Sequence, residues 1–417
     1  MLYDAAIIGG GAAGLLAGGE LSRAGLKTVM IEKKALATKL RITGKGRCNV
    51  TNDSSPEAFL AHIVSNSKFL MSSSRGFTSA DVMALFRSLG VPLKTERGAR
   101  VFPESDDAGD IAGALIGYAR GCEVVYRAAQ AVVLADGRAC GVRLADGQTL
   151  RARCVLLAAG GSSYPATGSN GDGFRIAAAA GHRIIDPAPA LVGISLKGTQ
   201  PGELQGLSLK NVRLVCKRGG KTLFEELGEM QFTHFGISGP LVLSLSSRIN
   251  RISPAELELY IDFKPALTRE VLDRRLQREF AAHPNQELKT VLCGLLPRAL
   301  APIAAARSGG SGKVNQLTAA QRARVVETLK CFTLCPAGLR PIAEGIVTAG
   351  GVDTRQIDPR TMQSRLIPGL YFAGEVIDVD ALTGGFNLQS AFSTAHAAAG
   401  AIIKYIEGEN ENGSNRN

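Results

Sequence analysis

The chain has 417 residues, which is enough for two or three domains with large buried cores. Hydrophobic residues make up 45% and charged residues 20%, as in globular proteins, and no apolar run approaches the roughly 20 residues that cross a bilayer. The net charge is +11, but the basic residues are scattered without a run of five or more, which favours a basic surface with an anionic-cofactor site over a nucleic-acid-binding protein.

The chain opens with a βαβ pattern. Apolar runs predict a strand from Tyr3 to Ile8 and another from Thr28 to Ile31, with a helix from about Ala12 to Ala24 between them. Two strands joined in this way wind right-handed into a parallel sheet. We therefore expect an α/β domain that begins within the first ten residues.

A glycine motif lies between the first strand and the helix. Gly9-Gly10-Gly11-Ala12-Ala13-Gly14 fits the pattern G-x-G-x-x-G, in which the first glycine makes the turn, the second admits a pyrophosphate and the third lets the helix pack closely. The helix N-terminus offers N–H groups to the phosphates. Glu32 follows the second strand, where a carboxylate accepts from ribose hydroxyls, so FAD or NAD is favoured over NADP.

Residues 43–52 predict a second ligand loop, with the sequence TGKGRCNVTN. Small and turn-forming residues there alternate with the donors Lys45, Arg47, Asn49 and Asn52. Such a loop can wrap around a phosphate group and the edge of a ring.

The middle of the chain alternates helical and strand patterns. Helices are predicted over 79–89 and 108–119, a hairpin over 140–153, and a strand over 155–159 that ends in Gly160-Gly161. Beyond a proline-marked boundary, residues 212–224 predict a second hairpin and 256–263 a strand. A helix over 268–280 is expected to bury one face, formed by Val271, Leu272, Leu276 and Phe280.

A second glycine-rich signature near the C-terminus favours FAD over NAD. An apolar strand ends in Gly374-Glu375, where the acid can bond a ribityl chain, and the turn 383–387 then opens a helix over 388–403. The N-terminus of that helix can stabilise negative charge at the N1/C2 edge of a reduced flavin. Residues 407–417 are expected to form a disordered polar tail.

The predicted fold class is α/β, a split Rossmann-type FAD-binding domain with an inserted β domain and a small helical cap. The FAD-binding domain is expected to combine residues 1–187 and 341–417. Residues 188–265 are assigned to the β domain and 266–340 to the helical cap. The inserted segment has no strand followed by G-x-G-x-x-G, so we expect it to form a substrate face and not a second nucleotide domain.

Specific motifs along the whole chain resemble the flavoprotein family named for YhiN and BaiN, also called the aminoacetone-oxidase family. They are the N-terminal GGGAAG, ITGKGRCNVTN (42–52), RVFPESDDA (100–108), FTHFGISGP (232–240), VTAGGVD (347–353) and LYFAGEVIDVDALTGGFNLQSA (370–391). The resemblance implies the same split fold and FAD without a separate nicotinamide domain. Two departures are Ser390, where an aromatic residue is frequent, and Gln363, which replaces a frequent acid.

The site residues expected from these motifs fall into two sets. The catalytic candidates are Asn387, His234 and Tyr164, and no metal site is expected. The cofactor-binding set consists of Gly9, Gly11, Ala12, Ala13, Gly14, Glu32, Lys33, Gly44, Gly46, Arg47, Cys48, Asn49, Gln130, Ala159, Gly160, Gly374, Glu375, Gly385, Phe386 and Asn387.

The expected activity is FAD-dependent reduction of a conjugated C=C bond, with NADH or NADPH as transient electron donor. The resemblance to BaiN implies 3-oxo-Δ4 or Δ6 bile-acid or steroid enones as small-molecule substrates. An amine oxidase of the aminoacetone-oxidase type that uses O2 is the alternative, and an RNA-associated flavoprotein is a second alternative. We expect a cytoplasmic protein with no nucleic acid, membrane or obligatory protein partner, since eight cysteines without a CxxC pair are typical of reduced thiols.

Overall fold

The computed structural model describes residues 1–198, 200–310 and 312–414. It divides into two compact units: the first combines Met1–Ala190 with the chain from Ile342 onward, and the second is Leu191–Pro341. The first unit is therefore discontinuous in sequence, and the second is a single insertion.

The strands of the first unit form three sheets. In chain order they are β1 (Leu2–Ile8), β2 (Thr28–Ile31), β3 (Thr51–Asn52), β4 (Leu93–Glu96), β5 (Arg100–Pro103), β6 (Glu123–Val125), β7 (Ala129–Ala135), β8 (Arg138–Leu144), β9 (Thr149–Leu157), β10 (Ile184–Ala190), β18 (Val347–Val352) and β19 (Leu370–Phe372). The largest sheet has the order β6-β2-β1-β9-β8-β7, with β19 paired to β9. A small sheet has the order β3-β5-β4, and β10 pairs with β18.

The large sheet is parallel at its centre. Strands β6, β2, β1, β9 and β19 are parallel neighbours, while β7 and β8 add an antiparallel hairpin to the outer part of β9. Ile7, Leu156 and Phe372 on these central strands are fully buried. Strands that are buried on both faces read as continuous apolar runs, which is why the sequence pattern identified β1, β2, β9 and β19.

The helices of the first unit pack on its sheets and on one another. They are α1 (Ala12–Arg23), α2 (Thr38–Ile42), α3 (Pro56–Ala61), α4 (Met71–Gly76), α5 (Ser79–Ser88), α6 (Ala108–Tyr118), α7 (Asp172–Ala179) and α14 (Phe386–Ser414). Helices α1 and α14 pack along each other. The Rossmann-type α/β fold that the sequence predicted is confirmed in this unit.

The second unit is built on a seven-stranded sheet whose described pairings are all antiparallel. Its strands are β11 (Ile194–Leu196), β12 (Ser208–Arg218), β13 (Lys221–Thr233), β14 (Gly236–Ser238), β15 (Glu258–Asp262), β16 (Phe332–Leu334) and β17 (Pro336–Leu339). Its helices are α8 (Gln200–Glu203), α9 (Pro240–Ile249), α10 (Arg269–Ala282), α11 (Leu288–Leu292), α12 (Leu300–Arg307) and α13 (Ala319–Lys330).

The helical segment 266–340 shares its core with the sheet. Leu276 of α10 and Leu329 of α13 belong to the same buried cluster as Leu214 and Ile261 of the sheet. The segment also supplies the strands β16 and β17. The structure therefore joins the expected β domain and helical cap in one unit, because the apolar helix faces are buried together with the sheet.

Two local expectations are wrong. Val271 is 37% exposed and does not share the buried face of Leu272, Leu276 and Phe280. Helix α14 extends to Ser414, so residues up to 414 are not a disordered tail, and residues 415–417 lie outside the described residues. The reason is a tertiary contact, since Oε2 of Glu409 accepts hydrogen bonds from Nε and Nη2 of Arg153, at 2.8 Å from the latter.

A histidine ties α14 to α1. Nδ1 of His396 lies 2.8 Å from Oε1 of Glu20, and its ring stacks on Phe77 at 4.6 Å. The hydrogen bond to Glu20, with the charges of Glu20 and Asp81, raises the pKa of His396 above its ordinary value of 6.5, although burial opposes the shift.

This raised pKa predicts a pH-dependent contribution to stability. Because the folded pKa exceeds the unfolded one, the contribution is fully present below the unfolded pKa and is lost as the pH rises through the folded pKa. Thermal melts of the wild type and Glu20→Gln should therefore differ most near pH 5.5 and converge at alkaline pH. A difference that grows with pH would contradict the assignment.

Candidate functional site

The site lies at the carboxyl edge of the parallel strands of the first unit. Strands β1, β2, β9 and β19 are mutually parallel, so the segments that follow them meet at one edge of the sheet. These segments are the glycine turn 9–14, Glu32, residues 158–160 and residues 373–375. Ligands of open α/β sheets bind outside this edge.

Two glycines of the N-terminal turn are required by the protein's own packing. Gly9 has φ +110°, and a Cβ there would lie 2.5 Å from the carbonyl oxygen of Ala158. A Cβ on Gly14 would collide with the carbonyl oxygen of Gly9. These two positions therefore fix the turn and the approach of α1 to β1.

Gly11 is different, because no protein atom lies within 4 Å of the place where its Cβ would be. Its backbone, at φ −87° and ψ −166°, is one that any residue adopts. Gly11 is also the N-cap of α1 and provides no side-chain cap for the first N–H groups of the helix. The open space and the free donors fit the pyrophosphate of a dinucleotide.

Glu32 is held in place at the end of β2. Its Oε2 accepts a hydrogen bond from the N–H of Gly10 at 2.8 Å, and its Oε1 accepts from the N–H of Lys34 at 2.9 Å. Each carboxylate oxygen keeps a second lone pair. The side chain can therefore brace the glycine turn and still accept from ribose hydroxyls.

We expect Glu32→Ala to weaken FAD binding by about 1.5–3 kcal/mol, the range for a lost charge-assisted hydrogen bond. FAD titration of the apoprotein gives the dissociation constant. Glu57→Ala, which removes an exposed acid of α3, serves as the control and should leave the affinity unchanged. Equal affinities of Glu32→Ala and wild type would show that Glu32 braces the turn only.

Glu375 follows β19 and is the centre of a polar cluster. Its Oε1 accepts hydrogen bonds from the N–H of Thr348 at 2.8 Å and from Oγ of Ser163 at 3.1 Å. Its Oε2 forms an ion pair with Nζ of Lys39 at 2.7 Å, with both side chains about one-fifth exposed. The cluster joins α2, β18 and the segment after β9 to the carboxyl edge of β19.

Sequence reasoning missed three members of this cluster, Lys39, Ser163 and Thr348. Thr348 is the second residue of the VTAGGVD motif, so the motif was a local signal for it. Lys39 and Ser163 carry no local signal, since they approach Glu375 only when the sheet is assembled.

The donor loop 43–52 contains a series of left-handed residues. Gly44, Lys45, Gly46 and Cys48 have φ values of +58°, +59°, +85° and +56°. Successive N–H groups in such turns form anion-binding concavities. Asn49 Oδ1 is buried and has no hydrogen-bond partner among the described residues, so it can accept from a cofactor N–H group.

Two other residues of this loop have local roles. Arg47 bonds Glu96 and Asp106 and stacks on Phe102 at 4.2 Å, so its guanidinium group is engaged with the small sheet. Cys48 is buried, and burial raises the pKa of its thiol to about 12. A buried thiol with a raised pKa is a weak nucleophile, which gives no support to a redox role for Cys48.

The turn 383–387, which precedes α14, is hydrogen-bonded to the donor loop 43–52. A Cβ on Gly385 would collide with the backbone of Thr51, and Nδ2 of Asn52 donates to the carbonyl oxygen of Gly384 at 3.0 Å. Thr51 Oγ1 and Oε1 of Gln389 are 2.5 Å apart. The two loops therefore form one wall in front of the N-terminus of α14.

Asn387 shapes this turn from within. Its Oδ1 accepts from the N–H of Ala381 at 3.0 Å, and its Nδ2 donates to the carbonyl oxygens of Ala381 at 2.9 Å and Leu382 at 3.4 Å. Because both ends of the amide are engaged with backbone, the structure gives Asn387 a positioning role.

The other expected contacts are dispersed. Lys33 bonds Asp172 and Asn170, and Phe386 stacks on His62 at 4.2 Å. Gly374 lies against Ala13 of α1, which brings the two glycine signatures together. Gln130 is exposed on β7, three strands from β1, where its Oε1 accepts from Arg143.

The two remaining catalytic candidates lie in different units. Tyr164, in the segment after β9, is partly exposed and has a left-handed backbone at φ +53°. His234 belongs to the second unit, where it is exposed between β13 and β14 beside Phe235. Their catalytic roles stay predictions.

The sequence matches the family model described as HI0933-like protein Rossmann domain over residues 3–401. The chain belongs to this HI0933-like family. The family resemblance inferred from the motifs is thereby confirmed, and the protein is an FAD-dependent oxidoreductase of the Rossmann type.

Curated relatives of this HI0933-like protein align over nearly their full length. A ribosomal RNA dihydrouridine synthase of Escherichia coli (strain K12) is 32% identical over 409 residues, covering 96% of this chain and 98% of the relative. A 3-dehydro-bile acid delta(4,6)-reductase of Clostridium scindens is 30% identical over 406 residues, covering 95% and 98%.

Solved structures share the fold of the HI0933-like chain. The 3-ketosteroid-delta4-(5alpha)-dehydrogenase of Rhodococcus jostii RHA1 aligns with a TM-score of 0.53 at 16% identity, covering 96% of this chain and 97% of that one. Identity at this level shows the fold alone. Among the described residues, no helix has the length and apolar character needed to cross a membrane.

Proposed function

We propose that this protein reduces a C=C bond conjugated to a carbonyl group, with FAD as the cofactor. One observation carries the proposal: the names of two relatives, each aligned over nearly its full length, describe the reduction of such a C=C bond. One reduces the delta(4,6) bonds of a 3-dehydro-bile acid. The other makes dihydrouridine, which is uridine reduced at the double bond conjugated to a ring carbonyl.

The cofactor, when bound, supplies the hydride that adds to the β-carbon of the substrate. The chain holds it through the open turn at Gly11, the carboxylate of Glu32 and the donor loop with Asn49. Lys39 and Glu375 add a fixed ion pair at the same edge of the sheet.

The turn before α14 supports the electrostatic part of the reaction. Asn387 fixes residues 381 and 382, and the N-terminus of α14 then presents N–H groups in a fixed direction. Preorganised donors of this kind stabilise developing negative charge. An acid must protonate the α-carbon, and Tyr164 and His234 are the candidates.

We propose NADH or NADPH as the electron donor, bound transiently. The described pairings of the inserted unit are antiparallel, which supports the absence of a second Rossmann domain there. The rival amine-oxidase reaction needs no nicotinamide and returns electrons to O2.

Anaerobic stopped-flow absorbance tests these alternatives. Flavin should bleach with NADH or NADPH and should recover when a 3-oxo-Δ4 steroid or a uridine-containing RNA is added. Bleaching by aminoacetone, with recovery only in O2, would refute the proposal in favour of the oxidase.

Two substrate classes fit this reaction. A steroid or bile-acid enone is the substrate expected from the family resemblance. A uridine in RNA is favoured by a separate observation, the uneven distribution of charge between the two units.

A further inference from the structure

The positive charge of the protein is concentrated in the inserted unit. Leu191–Pro341 contains 21 Lys and Arg against 12 Asp and Glu, a net charge of +9. The rest of the chain contains 27 against 25, a net charge of +2. The sequence does not show this difference in charge directly, because the basic residues of the inserted unit are spread along it without a long run.

Much of this charge is accessible and unbalanced. Within the described residues, nine basic side chains of the inserted unit are exposed and form no ion pair: Lys197, Lys210, Lys221, Arg248, Arg274, Arg278, Arg298, Lys313 and Arg324. Glu270 attracts Arg274 electrostatically without forming an ion pair with it. Exposed basic groups outside ion pairs remain free to bind phosphates.

Helix α10 presents two of these arginines side by side. Arg274 and Arg278 are four residues apart and both exposed, so they share one face of the helix. Like charges at this spacing destabilise a helix by about 0.2–0.5 kcal/mol. A polyanion on that face would remove the repulsion.

Helix α13 brings a third arginine to the same pair of helices. Two ion pairs join the helices, Arg269 with Glu327 and Arg322 with Asp273, at 2.8 and 2.7 Å. Arg324 of α13 is exposed and stays outside both pairs. Arg269 and Arg322 therefore join the two helices, whereas Arg274, Arg278 and Arg324 face solvent.

We propose that the inserted unit is the surface on which RNA docks, with Arg274, Arg278 and Arg324 binding its phosphates. This inference rests on the proposed function and selects a base in RNA as the substrate class. An anionic membrane fits less well, because the large apolar side chains exposed among the described residues of this unit are Leu227 and Val271, on different elements.

The test uses the FAD-loaded enzyme and a fluorescein-labelled, uridine-containing single-stranded RNA. The triple variant Arg274→Gln, Arg278→Gln, Arg324→Gln is compared with Lys68→Gln, Arg87→Gln, Arg120→Gln, which removes three exposed charges from the first unit. Anisotropy titrations at several salt concentrations give the dissociation constant and its salt slope.

The first variant should raise the dissociation constant at least about 10-fold at 0.15 M salt and lower the slope by about 2, since each single-strand phosphate contact contributes about 0.7. The control should change neither by more than about 2-fold. Equal losses in both variants would overturn the inference, as would tighter binding to vesicles with phosphatidylserine than to RNA.

The same preparations separate this inference from the proposed reaction. RNA binding without nicotinamide-driven flavin reduction would refute the reaction and leave the docking surface intact. Reduction of steroid enones without measurable RNA binding would refute the docking surface and leave the reaction intact.

Discussion

Gly11→Val is expected to fold normally and to lose FAD. Its Cβ would meet no protein atom within 4 Å, and its φ of −87° suits valine, so the apoprotein should melt close to the wild type. The side chain would occupy the space that the pyrophosphate needs. We expect the dissociation constant for FAD to rise at least about 100-fold, which is about 2.7 kcal/mol.

Flavin content after purification and thermal melting of the apoprotein measure the two effects. Gly14→Val is the matched control, because its Cβ would strike the carbonyl oxygen of Gly9 and should destabilise the fold itself. Full flavin occupancy in Gly11→Val would show that the motif is a structural turn and not a phosphate site.

Asn387→Ala is expected to bind FAD nearly normally and to slow flavin reduction by roughly 10- to 1000-fold, the scale for a lost preorganised donor. The structure supplies the reason, since removal of the amide frees the backbone of Ala381 and Leu382 and loosens the turn before α14. Single-turnover reduction and FAD titration are the measurements.

Two further variants make this test specific. Asn66→Gly removes another amide that bonds a loop backbone, at Asp378, and keeps a left-handed residue, so its reduction rate should not change. Glu375→Ala should weaken FAD binding instead, because it breaks the cluster with Lys39, Ser163 and Thr348. If Asn387→Ala lost FAD and Glu375→Ala lost only rate, the two assignments would be reversed.

The sequence predicted the site best where the chemistry is local. The turn at Gly9, Gly11 and Gly14 and the acid Glu32 follow from a periodic pattern over some thirty residues, and the structure has each at the expected edge of the sheet. The structure gives Gly9 and Gly14 the packing roles that the motif predicts, and the pyrophosphate role of Gly11, whose Cβ position is open, stays a prediction.

Long-range contacts were beyond such reasoning. Nothing near Lys39 indicates that Glu375 is its partner, 336 residues away. Arg47 looked like a phosphate ligand because its carboxylate partners, Glu96 and Asp106, lie in another part of the chain. Likewise, composition alone predicts a disordered tail from residue 407 onward. The hydrogen bond from Arg153 to Glu409 holds this end of α14 against the rest of the first unit.

The division of charge between the two units was beyond such reasoning for a related reason. Counting runs of basic residues tests for a linear motif, whereas a folded surface collects charge from several helices and strands. Only the division of the chain at Leu191 and Pro341 reveals that +9 of the total +11 belongs to one unit.

The discontinuity of the first unit has a consequence for synthesis on the ribosome. The central strand β9 ends at Leu157, but its partner β19 begins only at Leu370. At about 5–20 residues per second, β9 waits about 10–40 s for that neighbour. Throughout this time residues 155–157 of β9 lack their partner on that edge, although residues 149–151 can already pair with β8. An unpaired apolar strand edge can associate with other chains. The inserted unit is contiguous and can fold during the interval, so the nascent protein acquires its basic surface before it can retain a flavin.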